Sequence, residues 1–170
     1  MPVTKAIDLL ARVCRTATGL AFAVLIVAVL IQVIGRSLVH SSPVWTEELT
    51  RFALLFLAAF GAGLSYRSGD LVNVDLACES LPGRWPRRLR LFSAAATALL
   101  MAFLVVPAWR YTSIGAMQTA PALGWRMDVV HASMLVLVVG LLIFSLARVL
   151  AMIVGASDGL PPSPVEDETP

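Results

Sequence analysis

The sequence predicts an all-α membrane protein of four transmembrane helices, with both termini cytoplasmic and short amphipathic helices at the membrane surface. Three observations lead there. First, the chain is 58% hydrophobic and only 14% charged, with a mean hydropathy of +0.83; soluble domains carry roughly 25% charged residues. Second, Asp, Glu, Lys and Arg are missing from four long runs, 16–35, 52–66, 91–109 and 129–147. A bilayer core of about 30 Å needs roughly 20 such residues in a helix. Third, basic residues are shared unequally between the connecting segments. With the N-terminus inside, Lys5, Arg12, Arg15, Arg67, Arg84, Arg87, Arg88, Arg90 and Arg148 fall on the cytoplasmic side, and Arg36, Arg51, Arg110 and Arg126 fall outside. Nine against four fixes that orientation. Almost no chain is left over for a water-soluble domain.

Residues 1–15 alternate charge and apolar side chains. Val3, Ile7, Leu10 and Cys14 share one helical face, while Lys5, Asp8, Arg12 and Arg15 lie elsewhere. This predicts an amphipathic lead-in at the inner interface. A cleaved signal peptide is the rival, but the apolar run that follows is longer than such peptides use and no small-residue cleavage site follows it. The membrane domain covers 16–154, with spans at about 16–39, 43–66, 87–109 and 128–150, expected to pack as a bundle. In the first span Gln32 is expected to bond to another helix.

The second span organises the rest. Its uncharged middle, 52–66, rises only about 22 Å at roughly 1.5 Å per residue, so the helix must extend outward through Arg51, Glu48 and Glu47. Ser42 and Pro43 give a start signal, and Trp45 falls at interfacial depth. Glu47 and Arg51 stand at i and i+4 in the favourable order. Small residues crowd the other end. Ala59 with Gly63, Ala58 with Ala62, and Gly61 with Ser65 are spaced for close helix approach. They serve either the chain's own helices or another subunit. Gly69 suits a helix stop, and Gly69 and Asp75 shape the inner turn.

Beyond it, Leu71, Val74, Cys78 and Leu81 form a stripe that predicts a short interfacial helix. Arg84, Arg87, Arg88 and Arg90 then form a positive cluster that fixes topology and meets anionic lipid; it is too short to bind nucleic acid. The third span carries Ala94, Ala98 and Ala102 on one face, and Pro107 near its outer end. An outer loop at 112–127 leads to the fourth span. The Pro- and acid-rich tail, 155–170, is expected to be disordered.

The spans lack the charges that mark ion or proton paths, and no pair of helices is broken by Pro or Gly at mid-depth. The chain is therefore expected to be no enzyme and no transporter by itself, with no cofactor and no metal. Cys14 and Cys78 fall on the reducing side, where a disulfide does not form. The alternative rests on His40 and His131, both near the outer surface. Paired, they could ligate a haem iron, making the chain the membrane anchor of a redox enzyme with a haem or quinone site.

Several motifs, taken in order, resemble the small membrane subunit of tripartite ATP-independent periplasmic (TRAP) transporters, the DctQ type. Trp45, Glu47 and Glu48 match a Trp-x-Glu-Glu element before the second span, and Gly61 with Ala62 match a Gly-Ala pair inside it. Arg67, Gly69, Val74 and Asp75 match the following element, and Leu81 with Pro82 a later Leu-Pro. Ala122, Leu123 and Gly124 resemble the family's outer loop. Asp70 departs from the pattern, standing where the family has His, and Trp125 and Arg126 stand where it often has proline. The resemblance implies a small subunit that scaffolds a large TRAP permease subunit in the bacterial inner membrane. A periplasmic solute-binding protein would deliver an organic acid, and an ion gradient would drive symport. The residues expected to form the subunit interface or set the topology are Trp45, Glu47, Glu48, Arg51, Gly61, Gly63, Gly69 and Asp75.

Overall fold

The computed structural model describes residues 2–38, 40–41, 43–68 and 85–155, with side chains from residue 7 onward. Gly69, Asp70, Asp75, Cys78, Arg84, the expected helix over 71–81 and the tail from 156 lie outside the described residues. Four helices follow in order: α1 (Pro2–Leu38), α2 (Val44–Ser68), α3 (Trp85–Gly115) and α4 (Met127–Val154). Each is long and apolar enough to cross a membrane. Among the described residues the only strand-like feature is an isolated bridge between Thr119 and Arg126.

The helices exceed the expected spans. α1 has 37 residues, about 55 Å at 1.5 Å each, and runs without interruption through residue 16. Its apolar stripe has protein partners: Ile7, Leu10, Ala11 and Cys14 pack with Phe60, Leu64 and Tyr66 of α2 and with Leu141 and Phe144 of α4. α3 continues past the expected loop start at 112 as far as Gly115. Thr112 explains part of this, because its hydroxyl donates to the Ala108 carbonyl 3.0 Å away and keeps the helix turning. Pro107 lies inside α3. α4 reaches Val154, where Gly155 adopts a left-handed φ of 77° and its N–H caps the Ala151 and Met152 carbonyls.

Extensive packing joins α1 to α2, α2 to α4, and α4 to α3. No comparable packing joins α1 to α3 or α2 to α3, so the helices stand in the order α1, α2, α4, α3 rather than as a closed ring. One end of this row holds Arg67, Arg87 and Arg148 and is called here the basic end. The other, where 116–126 joins α3 to α4, is the loop end.

Small residues set the spacing within the row. Ala28, Ala53, Ala59, Ala94, Ala98 and Ala108 are all buried. Large apolar side chains point away from the row, including Phe22 and Leu30 on α1 and Leu99 and Phe103 on α3. Lipid tails accept such faces, which water would not. The buried hydroxyls of Ser133 and Ser145 donate to the carbonyls of Val130 and Leu142 three residues back, so each is satisfied within its own helix.

Three contacts close the basic end. Arg67 of α2 meets Asp8 of α1 at 2.6 Å and donates to the Ile7 carbonyl at 3.4 Å. Arg87 of α3 donates to the Met152 carbonyl of α4 at 2.9 Å. Arg148 of α4 stacks over Tyr66 of α2 at 5.8 Å, within cation–π range, and Thr97 of α3 is a hydrogen-bonding neighbour of the Tyr66 hydroxyl.

Candidate functional site

α2 carries most of the residues singled out by sequence, and its surroundings sort them. At its start the Pro43 carbonyl accepts from both the amide and the hydroxyl of Thr46, at 3.1 and 2.6 Å. Thr46 is fully buried. This anchors the first turn and sets the direction of the next residues. Trp45 lies in an apolar crevice against α1, beside Leu49 and facing Ala28 and Ile31, so it joins two helices as well as standing at the loop end. Glu47 is exposed. It makes no ion pair with Arg51 among the described residues, although the spacing would allow one.

Glu48 turns inward over the loop. One carboxylate oxygen accepts from the Ala122 amide at 3.0 Å and the other from the Leu123 amide at 2.9 Å. The loop is shaped to offer them. Ala120 donates to the Trp125 carbonyl at 2.7 Å, Gly124 to the Ala120 carbonyl at 2.9 Å, and Met127 to the Gln118 carbonyl at 3.0 Å. Gly124 holds a φ of 67°, the left-handed conformation that ends such a turn and that side chains disfavour. The Ala122 and Leu123 amides face out of this turn, and a carboxylate accepting two of them makes charge-assisted bonds. Two elements far apart in sequence, Trp-x-Glu-Glu and Ala-Leu-Gly, are thus one structure. Glu48 is one of the residues expected at a subunit interface; in this chain both of its carboxylate oxygens accept from the 116–126 loop.

The small-residue stretch divides in two. Gly63 and Ala59 are buried. A Cβ built on Gly63 would meet the Phe144 ring at 3.0 Å and approach the Gly140 backbone at 4.0 Å, so this pair is the close contact between α2 and α4. Gly61 is partly exposed, and a Cβ there would meet nothing within 4 Å. Gly61 therefore lies on a face that the described residues leave open. Arg51 lines a groove bordered by α2, α3 and α4. Gly69 and Asp75 lie outside the described residues.

Gln32 corrects another expectation. It makes no hydrogen bond among the described residues, because its part of α1 has only α2 as a neighbour and its amide is left partly exposed. His131 is held by its own chain. Its Nδ1 lies 3.2 Å from the Tyr111 carbonyl, and its ring stacks on Tyr111 with centroids 4.1 Å apart. Beside it, a Cβ on Gly115 would sit 2.5 Å from that Nδ1 and 2.9 Å from the Asp128 backbone. His131 thus locks α3 to α4 at a tight crossing, which gives the redox-anchor alternative no support. His40 is exposed, with a φ of 55°.

Sequence reading missed the partners of Asp8 and Tyr66. Asp8 looked like a solvated charge and Tyr66 like the end of a span. Only the packing of α1 and α4 around α2 brings them to Arg67 and Arg148.

No curated protein matches the chain. The family model for tripartite ATP-independent periplasmic transporters, DctQ component, matches residues 25–155, which include the last part of α1, all of α2, α3 and α4, Glu48 and the loop it holds. The chain belongs to this family and is a multi-pass membrane protein, the small membrane subunit of a TRAP transporter.

Proposed function

We propose that the chain is a static brace for the large permease subunit of a TRAP transporter in the bacterial inner membrane, with the basic end in the cytoplasm. The large subunit moves an organic acid, delivered by a periplasmic solute-binding protein, by symport with an ion. The observation that carries this reading is the dry interior. The central runs of all four helices lack Asp, Glu, Lys and Arg, and the buried serine hydroxyls of α4 are spent on its own backbone. An ion or carboxylate crossing here would meet no compensating group, and a charge left at membrane depth costs several kcal/mol. Ion and substrate therefore belong to the partner.

Two surfaces suit that partner. The face around Gly61 admits close helix approach. The Gln32 amide of α1, unpaired among the described residues, is stabilised by a hydrogen bond from another subunit. The test is to purify the tagged chain from native membranes in mild detergent. A large multispanning protein should accompany it. Recovery of a haem- or flavin-containing enzyme in its place would overturn the proposal.

A further inference from the structure

At the loop end α2 and α3 stand apart and α4 forms the floor between them, leaving a groove of about 720 Å³. Its residues are graded by depth. Arg51 and His131 border it near the loop end, and Leu55, Leu104, Met134 and Leu137 line it further in. On α4 the lining runs from Met127 to Leu137. Ten residues of helix rise about 15 Å, half of a hydrocarbon core about 30 Å thick. The groove is therefore one leaflet deep. Nearer the basic end, the Tyr66 side chain of α2 lies beside Thr97 of α3.

Arg51 is the charged group among the residues that line this groove. Among the described residues no acid pairs with it: Glu47 is exposed and makes no such pair, and Glu48 holds the loop. Counting about 30 Å of helix back from Tyr66 ends the apolar span near Glu47, so Arg51 sits roughly one turn beneath. Its long stem lets the guanidinium reach headgroup level while its methylenes stay in the apolar layer. A guanidinium at that depth suits a phosphate, which it can bind through two parallel N–H bonds.

We propose that this groove holds one glycerophospholipid of the loop-end leaflet, its phosphate on Arg51 and an acyl chain lying between α2 and α3 along α4. A partner's transmembrane helix fits less well, since it spans both leaflets and the groove spans one. The proposal goes beyond the transport reading and does not depend on it, because bound lipid can be counted whether or not a partner is present.

The test is phospholipid content after exhaustive detergent washing of the full chain, with any co-purifying subunits, read by phosphorus assay and mass spectrometry. Wild type should retain a single phospholipid per chain. Arg51→Gln removes the phosphate contact and should weaken retention about tenfold. Ala58→Trp fills the groove and should abolish retention, while Val106→Ala, an exposed position on the far side of α3 from the lining residues, should leave it unchanged. Circular dichroism confirms folding, and Arg51→Gln decides the matter if Ala58→Trp does not fold. Vesicles of phosphatidylethanolamine and phosphatidylglycerol should restore the lipid to stripped wild-type protein, and inorganic phosphate or oleate should not occupy its place. Equal retention in all variants, no retention by wild type, or replacement by oleate would overturn the proposal. So would an Ala58→Trp chain that keeps its lipid but loses its partner subunit, since the groove would then be a subunit seat.

Discussion

Gly61 and Gly63 sit two residues apart on α2, yet they face different surroundings. Gly63 is pressed against the Phe144 ring of α4, and Gly61 looks onto space that the described residues do not fill. Two residues turn a helix by about 200°, so one run of small residues supplies both faces. The inward face joins this chain's own helices. The outward face is the one proposed to meet a neighbour. The same division separates two adjacent acids: Glu48 binds the loop, and Glu47 is exposed. Sequence position alone therefore does not tell an assembly residue from a packing residue here; the side of α2 does.

Substitutions can break this contrast. The largest effect is expected from Gly63→Leu. Its first carbon would already crowd Phe144, which is buried in the core with Ala11, Cys14 and Tyr66. Overpacking of this kind costs about 1–3 kcal/mol, and a thermal-shift assay in detergent should show a clear drop in melting temperature. Gly61→Leu is the counterpart. It should leave the melting temperature and membrane insertion of the isolated chain unchanged and lower recovery of the large subunit in a pull-down. Unchanged recovery would remove Gly61 from the interface.

Glu48→Ala is expected to be milder. It frees the Ala122 and Leu123 amides, and a loss of about 1 kcal/mol is reasonable for bonds at a partly exposed site. Hydrogen exchange at those two amides should accelerate while α2 and α4 stay protected, and Glu47→Ala should change neither. Transport should fall more than expression in Glu48→Ala, because the loop it shapes lies on the outer surface proposed for the subunit. The smallest effect is expected from Asp8→Asn. Both members of the Asp8–Arg67 pair are at least a third exposed, and such pairs contribute less than about 1 kcal/mol. A large drop in melting temperature would mean that α1 is held to α2 mainly by this charge contact rather than by Ile7, Leu10 and Cys14.

The fold was legible because the bilayer leaves few choices. Charge-free runs of spanning length become helices, since backbone groups in lipid must bond internally. The run 52–66 was too short by itself, and the argument that it continues through Glu48 is met by a helix starting at Val44. The helix ends were read less well, because Thr112 and Ser113 look like loop residues but bond to carbonyls four residues back. The site was half legible. Trp45, Glu48 and Ala122 to Gly124 were each visible as motifs, but their union depends on where α4 begins relative to α2, which no local pattern encodes. Periodicity likewise separates the faces of Gly61 and Gly63, but which one α4 takes is decided by Phe144 and Gly140, more than seventy residues away.

The central claim is that this subunit braces a transporter and moves nothing itself. The direct measurement is uptake of labelled organic acid and of sodium into liposomes containing this chain alone, set beside liposomes containing the chain with its large subunit and supplied with binding protein. The account predicts gradient-driven uptake in the second preparation and only the leak of empty liposomes in the first. Saturable flux of either solute through the chain alone would contradict it.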